Sequence, residues 1–358
     1  MRKKLSIIFC AMLLGGCWDE RQYKDYSVIS IVGHEGQVGE LTSYFSVPII
    51  KEGETTSTII KGQGKSTRDT RMDAEMHSNQ TIDVAKLSVL LYSDESVKSD
   101  LYEYLDVYYR NARNQLSTYI AITEGSPEPF IELGNELQGE AGPYYKKFIK
   151  SLSYASIYPE TDLQMVCSLL FDDGMDITLP YLSLDKKENI PRIKGRALFN
   201  GREYTGNYLT VQQSKMLTVL MDKMSRIANF TFMYKETPVT VVIVKVDKKW
   251  DYSEIEKSGI VTLSYNLKAD VQEFSKDHIE QGENRKELEK FLSKQLNEET
   301  KKLFEILQEA KSDPLGIGRR VRAFHPKVWE KGDWNETFSE IVIKPDIKVD
   351  IQRTGILK

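Results

Sequence analysis

The sequence predicts an α+β protein of two to three mixed α/β domains with largely antiparallel sheets, following a cleaved N-terminal signal. Three features carry that expectation. Asn200-Gly201 lies between the stretches 194–199 and 204–209, the strongest short signal for a tight β-hairpin. Residues 339–351 place Ile341, Ile343, Ile347, Val349 and Ile351 on one parity, as a strand with one buried face requires. Residues 285–311 set Leu288, Phe291, Leu292, Gln295, Leu296, Leu303, Ile306 and Leu307 mostly on one helical face, with Lys and Glu elsewhere.

The chain begins with an address. Arg2, Lys3 and Lys4 precede ten mostly apolar residues at 5–14, a run far shorter than the roughly 20 residues a spanning helix needs. Leu14-Gly15-Gly16-Cys17 then has the form of a bacterial lipobox. Residues 1–17 are expected to act as a lipoprotein signal peptide, with Cys17 becoming the mature N-terminus and carrying an S-diacylglycerol and an N-palmitoyl chain. Two acyl signals suffice for stable anchoring, so the body is expected outside the cytoplasm, held to the membrane by lipid. Of Cys10, Cys17 and Cys167, only Cys167 would then remain a thiol, which leaves no disulfide framework.

Each later element follows from local pattern. Residues 27–33 and 41–50 read as strands joined by a turn at 33–39, residues 66–78 as a helix, and 86–92 as a buried strand. A helix at 97–110 and a strand at 117–123 precede a Gly-, Pro- and Glu-rich stretch at 124–142, read as a loop with at most a short helix. Residues 144–152 and 163–171 are ambiguous, the first compatible with helix and the second with helix or strand, and 177–184 reads as strand. The charged stretch 185–192 ends at Pro191 and marks the expected boundary between an N-terminal domain, 18–190, and a C-terminal domain, 191–358. Beyond the hairpin come a helix at 211–227, strands at 230–235, 239–246 and 259–271, the long helix and the terminal strand.

Composition and motifs exclude more than they assign. The 358 residues are 40% hydrophobic and 28% charged, a globular composition. A net charge of −4 lacks the basic excess of a general nucleic-acid binder. The charge is divided unevenly, net −12 over residues 18–190 and net +5 over 191–358. Gly62-Gln63-Gly64-Lys65-Ser66-Thr67 resembles the end of a phosphate-binding loop, but the first glycine of that pattern is replaced by Ile59. A strand-to-helix turn capped by Ser66 or Thr67 fits better. Leu315-Gly316-Ile317-Gly318 is too short for a dinucleotide fingerprint. His34, His77, His278 and His325 form no metal-ligand spacing, and no G-x-S-x-G elbow is present. No catalytic residue, metal or cofactor is therefore expected. Arg319, Arg320 and Arg322 form a basic cluster, which is either a solvated or internally paired surface or a contact patch for a partner.

Taken together, the motifs resemble the Ger(x)C family, the C-subunit lipoproteins of spore germinant receptors. Gly16-Cys17-Trp18-Asp19 matches the opening of mature members. Gly195-Arg196-Ala197-Leu198-Phe199 and Gly206-Asn207-Tyr208-Leu209 match the family hairpin. Asp313-Pro314-Leu315-Gly316-Ile317-Gly318, then Pro326, Trp329, Trp334 and Gly355, match its C-terminal region. Gln22, Gln213 and Leu315 depart from the usual residues. The resemblance implies three mixed α/β domains, no known catalytic activity, and a place on the outer face of the spore inner membrane. It also implies action with an A subunit and a permease-like B subunit in nutrient-triggered germination. The rival readings are an extracytoplasmic substrate-binding lipoprotein of a transporter, which would show two similar lobes of repeated β-α units, and a cell-wall enzyme.

Overall fold

The computed structural model describes residues 25–51, 53–275 and 282–354, so Cys17 and the Gly16–Asp19 motif lie outside the described residues, as do His278 and Gly355. The fold is α+β, built on two principal sheets. The larger has eight strands. Along the chain these are β2 (Ile31–Gln37), β3 (Glu40–Lys51), β4 (Glu54–Gly64), β6 (Val89–Ser93), β7 (Tyr119–Thr123), β8 (Thr178–Asp185), β9 (Ile190–Asn200) and β10 (Glu203–Thr210). Their spatial order is β10-β9-β8-β7-β6-β2-β3-β4. A short parallel pair, β1 (Tyr26–Val28) with β5 (Thr81–Asp83), forms a separate small sheet, with Ile82 in the core of the large one.

The centre of this sheet, β2-β6-β7-β8, is parallel, while hairpins flank it on both sides. Antiparallel pairing therefore predominates only narrowly, six pairings to five among the described residues. The cause is visible in β6 and β7, in which every residue is buried. Parallel strands are joined by crossover helices, and these cover both faces. Leu90, Tyr92, Ile120 and Ile122 pack against α1 (Thr67–Met76), α2 (Leu101–Arg110) and α5 (Leu163–Leu170). Val89, Leu91, Tyr119 and Ala121 pack against α3 (Glu128–Gln138) and α4 (Ala141–Tyr154). The expected turn after Lys65 is observed, with Ser66 capping α1 by accepting from the Asp69 N–H. Residues 124–142, expected as mostly loop, instead supply α3 and the start of α4.

The smaller sheet runs β11 (Asn229–Tyr234), β12 (Thr237–Asp251), β13 (Ile260–Phe274) and β14 (Val342–Arg353) in that order. One face is packed by α6 (Val211–Leu220) and the 28-residue α8 (Gly282–Glu309). The short α7 (Ile255–Ser258) joins β12 to β13. Leu288, Leu292, Leu296, Leu303 and Leu307 of α8 are buried, as the apolar stripe predicts. Three short helices, α9 (Ile317–Phe324), α10 (Pro326–Trp329) and α11 (Trp334–Glu340), lead into β14.

β14 is an edge strand, and α8 satisfies its outward N–H groups. Asn297 Oδ1 accepts from Ile347 N at 2.9 Å, Ser293 Oγ from Val349 N at 2.9 Å, and Glu289 Oε1 from Ile351 N at 3.0 Å. Four helical residues advance about 6 Å and two strand residues about 6.7 Å, so the ladder stays in step over three rungs.

The large sheet crosses the expected boundary at 190/191. β9 and β10 hydrogen-bond to β8, so the large sheet continues across that point to Thr210. The hairpin also alternates between the two cores. Ala197, Phe199 and Tyr204 lie in the core of the large sheet, while Leu198 and Leu209 lie in that of the small one. Because successive strand side chains point to opposite faces, one G-R-A-L-F segment stitches both cores together.

Candidate functional site

A buried polar cluster lies where the two sheets meet. It is assembled from the loop before β8, the β9-β10 turn, the Asp313–Gly318 loop and the start of α11. Asp176 and Asp313 are buried there, at 5% and 0% exposure. Asp313 Oδ1 accepts from Gly316 N at 2.9 Å, and its Oδ2 accepts from Gly318 N at 2.8 Å and Trp334 Nε1 at 3.1 Å. Asp176 Oδ2 accepts from Asp313 N at 2.6 Å, and its Oδ1 accepts from Gly201 N at 2.7 Å and Asn335 Nδ2 at 3.2 Å. Asp176 N donates back to Asp313 O at 3.0 Å. Six N–H donors thus converge on two carboxyl groups, and every link but those within 313–318 joins segments distant in sequence.

Burial, with Asp176 nearby, pushes Asp313 up to about 7, against the opposing pull of the Gly318 N–H. Asp176 is raised as well, again chiefly by burial. Two carboxyls sharing one dry site cannot easily both be charged. Glycine is required where the segments touch. A Cβ on Gly318 would stand 2.3 Å from Trp334 Nε1, and one on Gly174 would stand 2.7 Å from Arg319 N.

The three arginines flagged from sequence border this joint. Arg319 Nε lies 2.7 Å from Asp172 Oδ2, and Arg322 lies 3.7 Å from Asp172 and 3.9 Å from Asp173. Arg320 lies over the Trp250 ring and Arg322 over Trp329. All three are engaged internally, although Arg319 and Arg322 remain nearly half exposed. A fourth arginine lies deeper. Arg196, inside the hairpin motif, is fully buried, donates from Nε to Ile157 O at 2.7 Å and to Thr218, and lies over the Tyr158 ring. Burial, with no carboxylate partner among the described residues, pulls its guanidinium down to about 9. Nothing in local sequence distinguishes it from a surface arginine, because its environment comes from residues 157 and 218. Asp176 was missed for the same reason.

A Ser–His pair also exists, but it is sealed. His34 Nδ1 lies 2.8 Å from Ser43 Oγ and its Nε2 lies 2.8 Å from Tyr108 OH, with all access closed by burial. Desolvation lowers His34 to about 3, so it is a neutral core group. Among the described residues no group of three or more His, Cys, Asp or Glu is placed to hold a metal, and no helix is long and apolar enough to cross a membrane.

Two family profiles match this architecture. "Spore germination protein N-terminal domain" matches residues 19–184, and "Spore germination B3/ GerAC like, C-terminal" matches residues 194–355. No curated protein matches. Among solved structures, the crystal structure of the GerBC protein is similar at a TM-score of 0.53 and 17% identity, over 87% of this chain and 93% of that one. At that identity the likeness establishes the fold. The two profiles, consecutive and spanning nearly the whole chain, carry the assignment, and the chain belongs to the Ger(x)C family of spore germination proteins.

Proposed function

We propose that the protein is the lipid-anchored C subunit of a spore germinant receptor. In this reading it is needed for nutrient-triggered germination and acts through contacts with the A and B membrane subunits, without catalysis or a bound cofactor. Cys17 carries the S-diacylglycerol and N-palmitoyl chains and holds the body on the outer face of the spore inner membrane. The observation that carries the reading is the pair of family matches over residues 19–184 and 194–355. The Asp176–Asp313 joint supports it, since a body whose parts are tied by buried polar contacts suits a scaffold. Its two unlike sheets do not suit a transporter-type receptor with two similar lobes.

Arg319, Arg320 and Arg322 serve in this proposal as a partner-contact patch, and their surroundings dictate how to test it. Reversing their charge would set new carboxylates against Asp172 and Asp173, so glutamine is the appropriate replacement. The experiment is affinity purification of the tagged chain from spores. The A and B subunits should accompany the wild type, be lost with Cys17→Ala, and be reduced with Arg319→Gln/Arg320→Gln/Arg322→Gln. A wild-type chain that captures neither subunit would refute the assignment.

A further inference from the structure

The free edge of the large sheet at β4 differs from the other strand edges. Gln63 N donates to Asp73 Oδ2 and Lys65 N to Asp69 Oδ2, each at 2.8 Å. Those bonds identify the odd-numbered residues of β4 as the ones whose backbone groups face away from β3. Pro48, which has no N–H to give, stands opposite Ser57 in keeping with that parity. The carboxylates of α1 therefore cap one end of the edge. Farther along, the outward N–H groups of Ser57, Ile59 and Lys61 have no backbone partner among the described residues.

Sheet edges are normally blunted by bulges, short length or covering elements. Here β10 carries a register shift between Tyr204 and Tyr208, β11 has six residues, and β14 is covered by the α8 ladder. β4 has eleven residues and pairs with β3 without a shift.

Beside this edge runs a groove of about 850 Å³, walled by Thr55–Ile59 on one side and by Glu128, Glu132 and Glu136 of α3 on the other, and closed at its Thr55 end by Gly139, whose carbonyl accepts from Ser57 Oγ at 2.7 Å. The three glutamates recur every four residues, the same spacing with which α8 presents Glu289, Ser293 and Asn297 to β14. The wall already takes an ammonium group, since Lys61 Nζ lies 2.8 Å from Glu128 Oε1. We propose that residues 57–61 of β4 accept an added strand from an extended, basic segment of another protein, with main-chain bonds to the edge and alternate Lys or Arg side chains to the α3 glutamates. A second copy of this chain is disfavoured as occupant, because pairing two β4 edges would bring two acidic walls together.

The test uses the full chain and acetyl-(Lys-Thr)4-amide, read by fluorescence anisotropy and by amide hydrogen exchange. Before peptide is added, the amides of Gln63 and Lys65 should be protected and those of Ser57, Ile59 and Lys61 should exchange freely. The peptide should slow exchange at 57–61. Acetyl-(Glu-Thr)4-amide should not bind. Glu132→Lys/Glu136→Lys, at two exposed positions, should weaken binding roughly tenfold without changing the melting transition. A Lys-Thr peptide N-methylated at alternate residues keeps its charge but loses its edge donors, and it should also fail. Equal binding of that peptide would reduce the interaction to simple ion attraction and overturn the proposal. Concentration-dependent protection of 57–61 without peptide would assign the edge to a second copy and overturn it equally.

Discussion

The two sheets bury their strands in different ways. In the larger, β6 and β7 are covered on both faces, and their sequences are continuous apolar runs such as Val89-Leu90-Leu91-Tyr92. In the smaller, β13 is covered on one face, with Val261, Leu263, Tyr265, Leu267, Ala269 and Val271 buried and the residues between them more open. A one-sided strand announces in its period which face meets the core. A two-sided strand announces only that it is buried, and says nothing of its neighbours. The sheets also differ in what closes them, since the small one ends on a strand drawn from the far C-terminus and held by α8.

Removing that strand should separate the two units most completely. Deleting residues 342–358 exposes the core against which Ile347, Val349 and Ile351 pack and leaves the α8 rungs without partners. The small-sheet unit should lose its cooperative transition, a loss of about 5 kcal/mol or more. Hydrogen exchange should show protection vanishing over 229–309 and persisting in β6–β10. Loss of protection in β9 and β10 as well would return them to the C-terminal unit and restore a boundary near residue 190.

Next in size is the pH dependence of the joint. Asp313 titrates at about 7 when folded, against an ordinary value of 3.8, so folding takes up a proton between those limits. The stabilisation from this group is complete below about pH 4 and is lost as pH rises through about 7. Denaturant midpoints measured across that window should fall with rising pH, and Asp313→Asn, although less stable throughout, should flatten the slope. An unchanged slope would show that Asp313 does not hold the proton.

Gly318→Ala tests the same joint sterically. The added methyl would stand 2.3 Å from Trp334 Nε1 and would push away one donor of Asp313. A destabilisation of about 1–3 kcal/mol is expected, visible in the melting of both units because the joint belongs to both. A shift confined to the small-sheet unit would show that the two sheets are less coupled than the six-donor cluster suggests.

The same contrast governs which elements local sequence specifies. The hairpin at Asn200-Gly201, the α8 stripe and the parity of Ile347, Val349 and Ile351 were readable because each is a local period with one buried side. β4 was not, since Thr55-Thr56-Ser57-Thr58 carries no apolar alternation, and its strand form depends on pairing with β3. α3 was masked by Pro127, Pro129 and Gly134. Yet proline is at ease in the first turn of a helix, and a Cβ on Gly134 would lie 2.8 Å from that of Ala141. The Asp313 motif was visible, but its partner Asp176 lies 137 residues away, and no spacing rule reaches that far.

The smallest expected effect lies at the rim of the joint, where Arg319 meets Asp172. The pair is close, 2.7 Å, but Arg319 is 45% exposed. Water screens the attraction and holding the long side chain in place opposes it, so such a pair contributes about 0.2–1 kcal/mol. Arg319→Gln keeps much of the stem and removes the charge, leaving the Arg319 N–H to Gly174 O contact at 3.0 Å untouched. Its melting temperature should therefore change little, and the difference from wild type should disappear in high salt. A larger, salt-insensitive loss would mean that Arg319 is part of the buried joint itself. In that case any effect of arginine substitutions on partner capture would have to be read as a folding defect, and Arg320, whose side chain lies over Trp250, would become the cleaner position at which to test the contact patch.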